Sequence, residues 1–167
     1  MLLYEFAKIY GENKGSRPIS ALEASSVGKP EDIFRIKERR YTRSLLNYYI
    51  HAYCCQYVNF DSINSIMEIG SGAGKQIEVI KKLHPHLSFY AFDIPPQLYV
   101  CEQYLSALFP EDVVSYATTR SMKFIPKEQG KIFIFGSWQV PKIENLSHDL
   151  FWNSASFQEM EPARSIE

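Results

Sequence analysis

Residues 65–74, Ser-Ile-Met-Glu-Ile-Gly-Ser-Gly-Ala-Gly, constrain the fold more than any other part of the chain. Positions 65–69 are mostly apolar, as expected of a buried parallel strand. Gly70, Gly72 and Gly74 then alternate with other residues. Without a Cβ at these positions the backbone can turn sharply and bring its N–H groups close to a ligand. From Lys75 to Leu83, Ile77, Ile80 and Leu83 share one helical face, and Lys81 and Lys82 lie near the end where the helix dipole favours cations. Pro85 stops that helix. Strand, glycine loop and helix in this order form a βα turn suited to holding a ligand.

A second apolar run, residues 87–93, ends on Asp93, nineteen positions after Gly74. An acidic side chain at the tip of the second strand can accept hydrogen bonds from a ribose diol. Nicotinamide dehydrogenases and methyltransferases both use that geometry, and the spacing separates them. A dinucleotide loop needs a glycine three positions beyond its second, so that helix and strand close around a pyrophosphate. Lys75 stands there instead, and the third glycine comes one residue early, at Gly74. Glu68, two residues before Gly70, also fits the methyltransferase version, whose ligand has no pyrophosphate.

The rest of the chain extends this pattern. Residues 11–18 are loop-like and Gly28-Lys29-Pro30 marks a turn. Residues 42–57 are expected to form a helix with Leu45, Leu46, Tyr49, Ala52, Tyr53 and Gln56 on a broad apolar face. Pro95 and Pro96 open the way to a helix over 97–108, because proline is tolerated in a first helical turn. A short strand is expected near Val113-Val114, another over 131–135, and a last one over 149–153. Strands alternating with helices imply a doubly wound α/β sheet, with ligands beyond the carboxyl ends of its strands. Residues 1–58 read as an N-terminal loop and helical segment and 59–167 as the α/β domain.

Composition excludes several classes. With 167 residues, 46% hydrophobic and 22% charged, the chain is one globular domain at most. A net charge of −1 leaves no electrostatic footprint for nucleic acid, and the basic cluster Lys37, Arg39, Arg40, Arg43 reads as a solvated helix start. No apolar stretch suits a membrane span or a secretory signal, so the cytoplasm is the default expectation. Cys54, Cys55 and Cys101 have no metal-ligand spacing and read as apolar helix residues.

The combination resembles the sugar O-methyltransferase family. The residues that carry the resemblance are the run 67–74, Asp93-Ile94-Pro95, Tyr104-Leu105 and the run 153–160, Asn-Ser-Ala-Ser-Phe-Gln-Glu-Met, with Gly28-Lys29-Pro30 similar to an upstream Gly-Asn-Pro. It covers about residues 22–162 and implies a class I S-adenosylmethionine-dependent, Rossmann-like doubly wound fold. That fold has seven strands, of which about four are placed here, so the chain reads as C-terminally truncated. The resemblance implies S-adenosyl-L-methionine as cofactor, held by Glu68, Gly70, Ser71, Gly72, Gly74, Asp93, Ile94 and Asn153. It also implies a small-molecule acceptor such as a sugar, while charge and hydropathy point to neither nucleic acid nor a membrane as partner. If the first and fourth strands are neighbours, the loop at 70–74 faces Asn153 and Ser154 across a crevice.

Methyl transfer to oxygen is largely a matter of positioning, with a base or a metal for a high-pKa nucleophile. Glu159 is the candidate base or substrate acceptor, against the alternative of a helix-start carboxylate. Asn153, Gln158 and His148 are further candidates, His148 reading more simply as a solvent-facing turn residue. His84 and His86 lack a third ligand, and no metal site is expected. Trp138 and Trp152 could stack on a ring or belong to the core. The strand over 150–153 is apolar on both faces with nothing after it to pair its outer edge, which invites self-association. A non-catalytic remnant or interaction module is therefore the second reading, and a nicotinamide oxidoreductase the third.

Overall fold

A computed structural model of the chain describes residues 2–12, 15–54 and 58–159. Met160 and the residues after it, Cys55, Gln56 and Tyr57 lie outside these, as do Asn13 and Lys14. The described chain forms two compact units, residues 1–63 with 75–86, and residues 64–74 with 87–167. The helix after the glycine loop groups with the first of them.

The first unit opens with α1 (Leu2–Gly11), followed by β1 (Phe34–Ile36), β2 (Arg39–Tyr41) and α2 (Arg43–Cys54). Of the basic cluster, Lys37, Arg39 and Arg40 belong to a hairpin, and Arg43 alone stands at a helix start. Phe34 pairs with Tyr41 and Ile36 with Arg39 across a two-residue turn. Lys37 and Glu38 occupy that turn with φ of 48° and 67°, the left-handed pair that lets a tight connection follow the strand twist. α2 begins where Thr42 Oγ1 accepts the Leu45 N–H at 3.1 Å, an N-cap. Its buried face is Leu45, Leu46, Tyr49, Ala52 and Tyr53, and α3 (Lys75–Leu83) packs beside it.

His84 is buried in this unit. Its Nε2 meets the Tyr53 hydroxyl at 2.7 Å and its Nδ1 meets Asp61 Oδ1 at 3.2 Å. Asp61 in turn pairs with Arg17 at 2.9 Å. Burial lowers the His84 pKa and Asp61 opposes that shift.

The second unit is a parallel sheet of β3 (Ser65–Ile69), β4 (Ser88–Asp93), β5 (Val113–Val114), β6 (Ile132–Gly136) and β7 (Leu150–Trp152), in the order β5-β6-β4-β3-β7. This is a mixed α/β architecture consistent with a Rossmann-like methyltransferase fold. Chain order reverses between β3 and β7, which pair in parallel from Ile66↔Leu150 to Glu68↔Trp152. α4 (Pro95–Leu108) contacts β4 and β6, beginning two residues earlier than its sequence suggests, with Pro95 and Pro96 inside its first turn. All five residues of β6 are buried. Phe92 and Phe135 stack at 5.1 Å, in a core with Met67, Phe133, Ile125 and Ile143. α5 (Tyr116–Thr119) contacts β6, and Thr119 Oγ1 donates to the Ile134 carbonyl.

Candidate functional site

The carboxyl ends of β3, β4 and β6 open into a cleft of about 430 Å³, within the range of small-molecule sites. Its floor comes from the glycine loop. Gly70, Gly72 and Gly74 have φ of 80°, 54° and 73°, a conformation that disfavours any residue with a Cβ. Gly70 and Gly72 line the cleft. At Gly74 an added Cβ would lie 2.8 Å from Leu105 and 3.1 Å from Cys101 Sγ, so this glycine lets the loop press on α4. Ser71 is buried beneath, beside Cys101, whose thiol is pushed up to about 12 by burial.

Asp93 ties two loops together. Its Oδ2 accepts the Gly72 N–H and its Oδ1 accepts the Ile94 N–H, both at 2.7 Å. Each oxygen keeps a lone pair for a ligand hydroxyl. Asp93 and Ile94 both line the cleft, with Ile94 exposed at the tip of β4. Glu68 is not a lining residue. It lies one position before the lining residue Ile69, 4% exposed, and its carboxyl pKa is pushed up to about 8, by burial first and by Asp93 second.

The far wall is the turn after β7. Ser154, Ala155 and Ser156 line the cleft opposite Gly70, with Glu159 beside them. Asn153 does not reach into the space. Its Nδ2 donates to the Ile69 carbonyl at 2.8 Å and also meets Ser156 Oγ, which donates to the same carbonyl at 3.0 Å. These two side chains hold the turn so close that a Cβ on Gly70 would overlap Ser156 Cβ and Oγ.

Two lining residues, Gln97 and Ser137, carry no signal that the sequence reading used. Gln97 lies in the first turns of α4. Ser137 follows β6, where Gln139 fixes the chain by accepting the Gly136 N–H and donating to the Thr119 carbonyl, both at 2.9 Å. Their only sequence signal is position, just beyond the carboxyl end of a parallel strand.

Neither tryptophan is fully buried. Trp138 is 41% exposed, its ring lying so close to Gly136 that a Cβ there would overlap it. Trp152 is half-buried and donates from Nε1 to Ser154 Oγ at 2.6 Å. His148 is half-buried, its ring 6.1 Å from that of Phe151. Among the described residues no group of three His, Cys, Asp or Glu could hold a metal, and no helix is long and apolar enough to cross a membrane.

A family model described as the O-methyltransferase domain matches residues 38–133, more than half of the chain. Neither the curated proteins nor the solved structures gave a match.

Proposed function

The chain belongs to the O-methyltransferase domain family, and from that premise we propose that it moves a methyl group from S-adenosylmethionine to a hydroxyl of a sugar or similar small molecule. One observation carries this reading. The titratable side chains among the residues lining the cleft are Asp93 and Glu159, both acidic. Asp93 has its counterpart in dinucleotide sites, but Glu159 would set like charge near a pyrophosphate and attracts a sulfonium cation. This disfavours a nicotinamide dinucleotide independently of Lys75.

The residues fit the cofactor. At Gly72 the place of a Cβ is open, which leaves room for a ligand against bare backbone, and the spare lone pairs of Asp93 suit a ribose diol. Ile94 offers an apolar surface to a base. Bound S-adenosylmethionine supplies an electrophilic methyl group on sulfur. The chain supplies position, with Ser137, Ser154 and Ser156 as hydroxyls for a polar acceptor, and Glu159 as the carboxylate that takes the acceptor proton.

Calorimetric titration with S-adenosylmethionine, S-adenosylhomocysteine and NAD tests the cofactor. The first two should bind and NAD should not; the reverse would overturn the reading. Asp93→Ala should weaken binding by about 1–3 kcal/mol if its carboxylate holds the ribose. Transfer of labelled methyl to a panel of monosaccharides and phenols tests the acceptor, and labelling of phenols alone would remove the sugar. Glu159→Gln should lower turnover with little change in cofactor affinity.

A further inference from the structure

The charge balance around Glu68 is incomplete. Among the described residues its carboxyl makes no ion pair and no hydrogen bond, although the residue is almost wholly buried. The titratable groups around it are all acids or neutral. On the neighbouring strand Glu68 pairs with Ala91, so Asp93, two positions further along β4, stands on the same face of the sheet and opposes ionisation of Glu68, while Cys101 on α4 is a neutral thiol that feels both carboxyls. The turn after β7 contributes Glu159 to the same cleft, and Trp152, opposite Glu68 on β7, does not titrate. An unpaired buried carboxylate beside a second carboxylate is costly, and the simplest relief is to hold a proton. Burial and Asp93 indeed raise the Glu68 pKa to about 8.

We propose that Glu68 is neutral in the empty cleft and ionises when a sulfonium occupies it, which makes Glu68 the residue that tells cofactor from product. This rests on the S-adenosylmethionine reading. On binding, the Glu68 carboxyl releases its proton to solvent and the sulfonium takes over as countercharge. After transfer the sulfonium has become a neutral thioether, the acceptor oxygen has exchanged its proton for the methyl group, and Glu68 takes a proton up again. The balance closes, since the whole reaction releases one proton in either case. What Glu68 changes is the step, from chemistry to binding. The product then meets no charge at Glu68 and gains no electrostatic hold from it.

The experiment is calorimetry on the full chain at pH 6.5, where the cofactor's own α-amino group is protonated, in buffers of differing ionisation enthalpy. S-adenosylmethionine should release about one proton and S-adenosylhomocysteine about none. In Glu68→Gln the release should vanish and the preference for the sulfonium should shrink at least tenfold. If that variant does not fold, the wild type still decides: its affinity for S-adenosylmethionine should rise about tenfold between pH 5.5 and 6.5, while that for the thioether stays flat. Binding of both ligands without proton release overturns the role of Glu68 and leaves the cofactor reading standing. Binding of neither overturns both.

Discussion

Replacing Gly70 by alanine should be among the most destabilising single changes in the sheet unit, and the reason is separable into two parts. Gly70 has φ of 80°, and placing an L-residue in the left-handed region costs roughly 1–2 kcal/mol. The new Cβ would also overlap the Ser156 side chain, and such overpacking costs about 1–3 kcal/mol. The single variant should therefore lose about 2–5 kcal/mol. Ser156→Gly alone should lose about 1 kcal/mol with its hydrogen bond to the Ile69 carbonyl. Combined with Ser156→Gly, Gly70→Ala should cost only its backbone part, because the Ser156 Cα would then be 3.7 Å from the new methyl. Urea denaturation of the four proteins measures the coupling directly, with about 1–3 kcal/mol expected. A coupling within about 0.5 kcal/mol of zero would mean that Ser156 does not rest on Gly70, and the closed wall of the cleft would be wrong.

Asn153→Ala should weaken cofactor binding by loosening the loop, and Asn153→Asp, which keeps the shape but removes the donor, should weaken it comparably; full affinity in the alanine variant would show that the amide is idle. Glu68 also has a signature in stability. Its folded pKa is raised, so its contribution is complete below about pH 4.5 and lost as pH rises through about 8. Within that window stability should fall by about 1.4 kcal/mol per unit, and Glu68→Gln should flatten the slope measured by thermal unfolding. β7 is the edge of the sheet among the described residues, with Phe151 41% exposed and stacked on Phe157. Sedimentation velocity should detect concentration-dependent association that Phe151→Lys suppresses, and a monomer at all concentrations would sink the idea.

The central strands were legible because burial on both faces leaves near-continuous apolar runs, as in Ile132-Phe133-Ile134-Phe135. The glycine loop was legible because the backbone conformation at 70, 72 and 74 excludes most other residues. The hairpin at 34–41 was not. Its turn places Lys37 and Glu38 where glycine or asparagine is normal, so local preference points away from the conformation that the strand pairing imposes. α1 does not stand out within the N-terminal loop and helical segment, since one turn-breaking glycine at its end looks the same in a loop. The site divided similarly. Glycines and Asp93 announce themselves by type, whereas the part played by Asn153 depends on a carbonyl 84 positions away.

The β3–β7 ladder is a zipper that stops part-way. At its start Asp149 Oδ2 fastens the two strands by accepting from Asn64 N at 2.7 Å and Ser65 N at 3.0 Å. Backbone pairing ends at Glu68↔Trp152, and the next free carbonyl, that of Ile69, is claimed by side chains instead of by a further residue of β7. The cleft is thus a fork, kept open because an amide and a hydroxyl terminate the ladder before the backbones can close it. A β-branched residue at 153 would favour one more rung, and the chain could then gain sheet while losing the space in which it works.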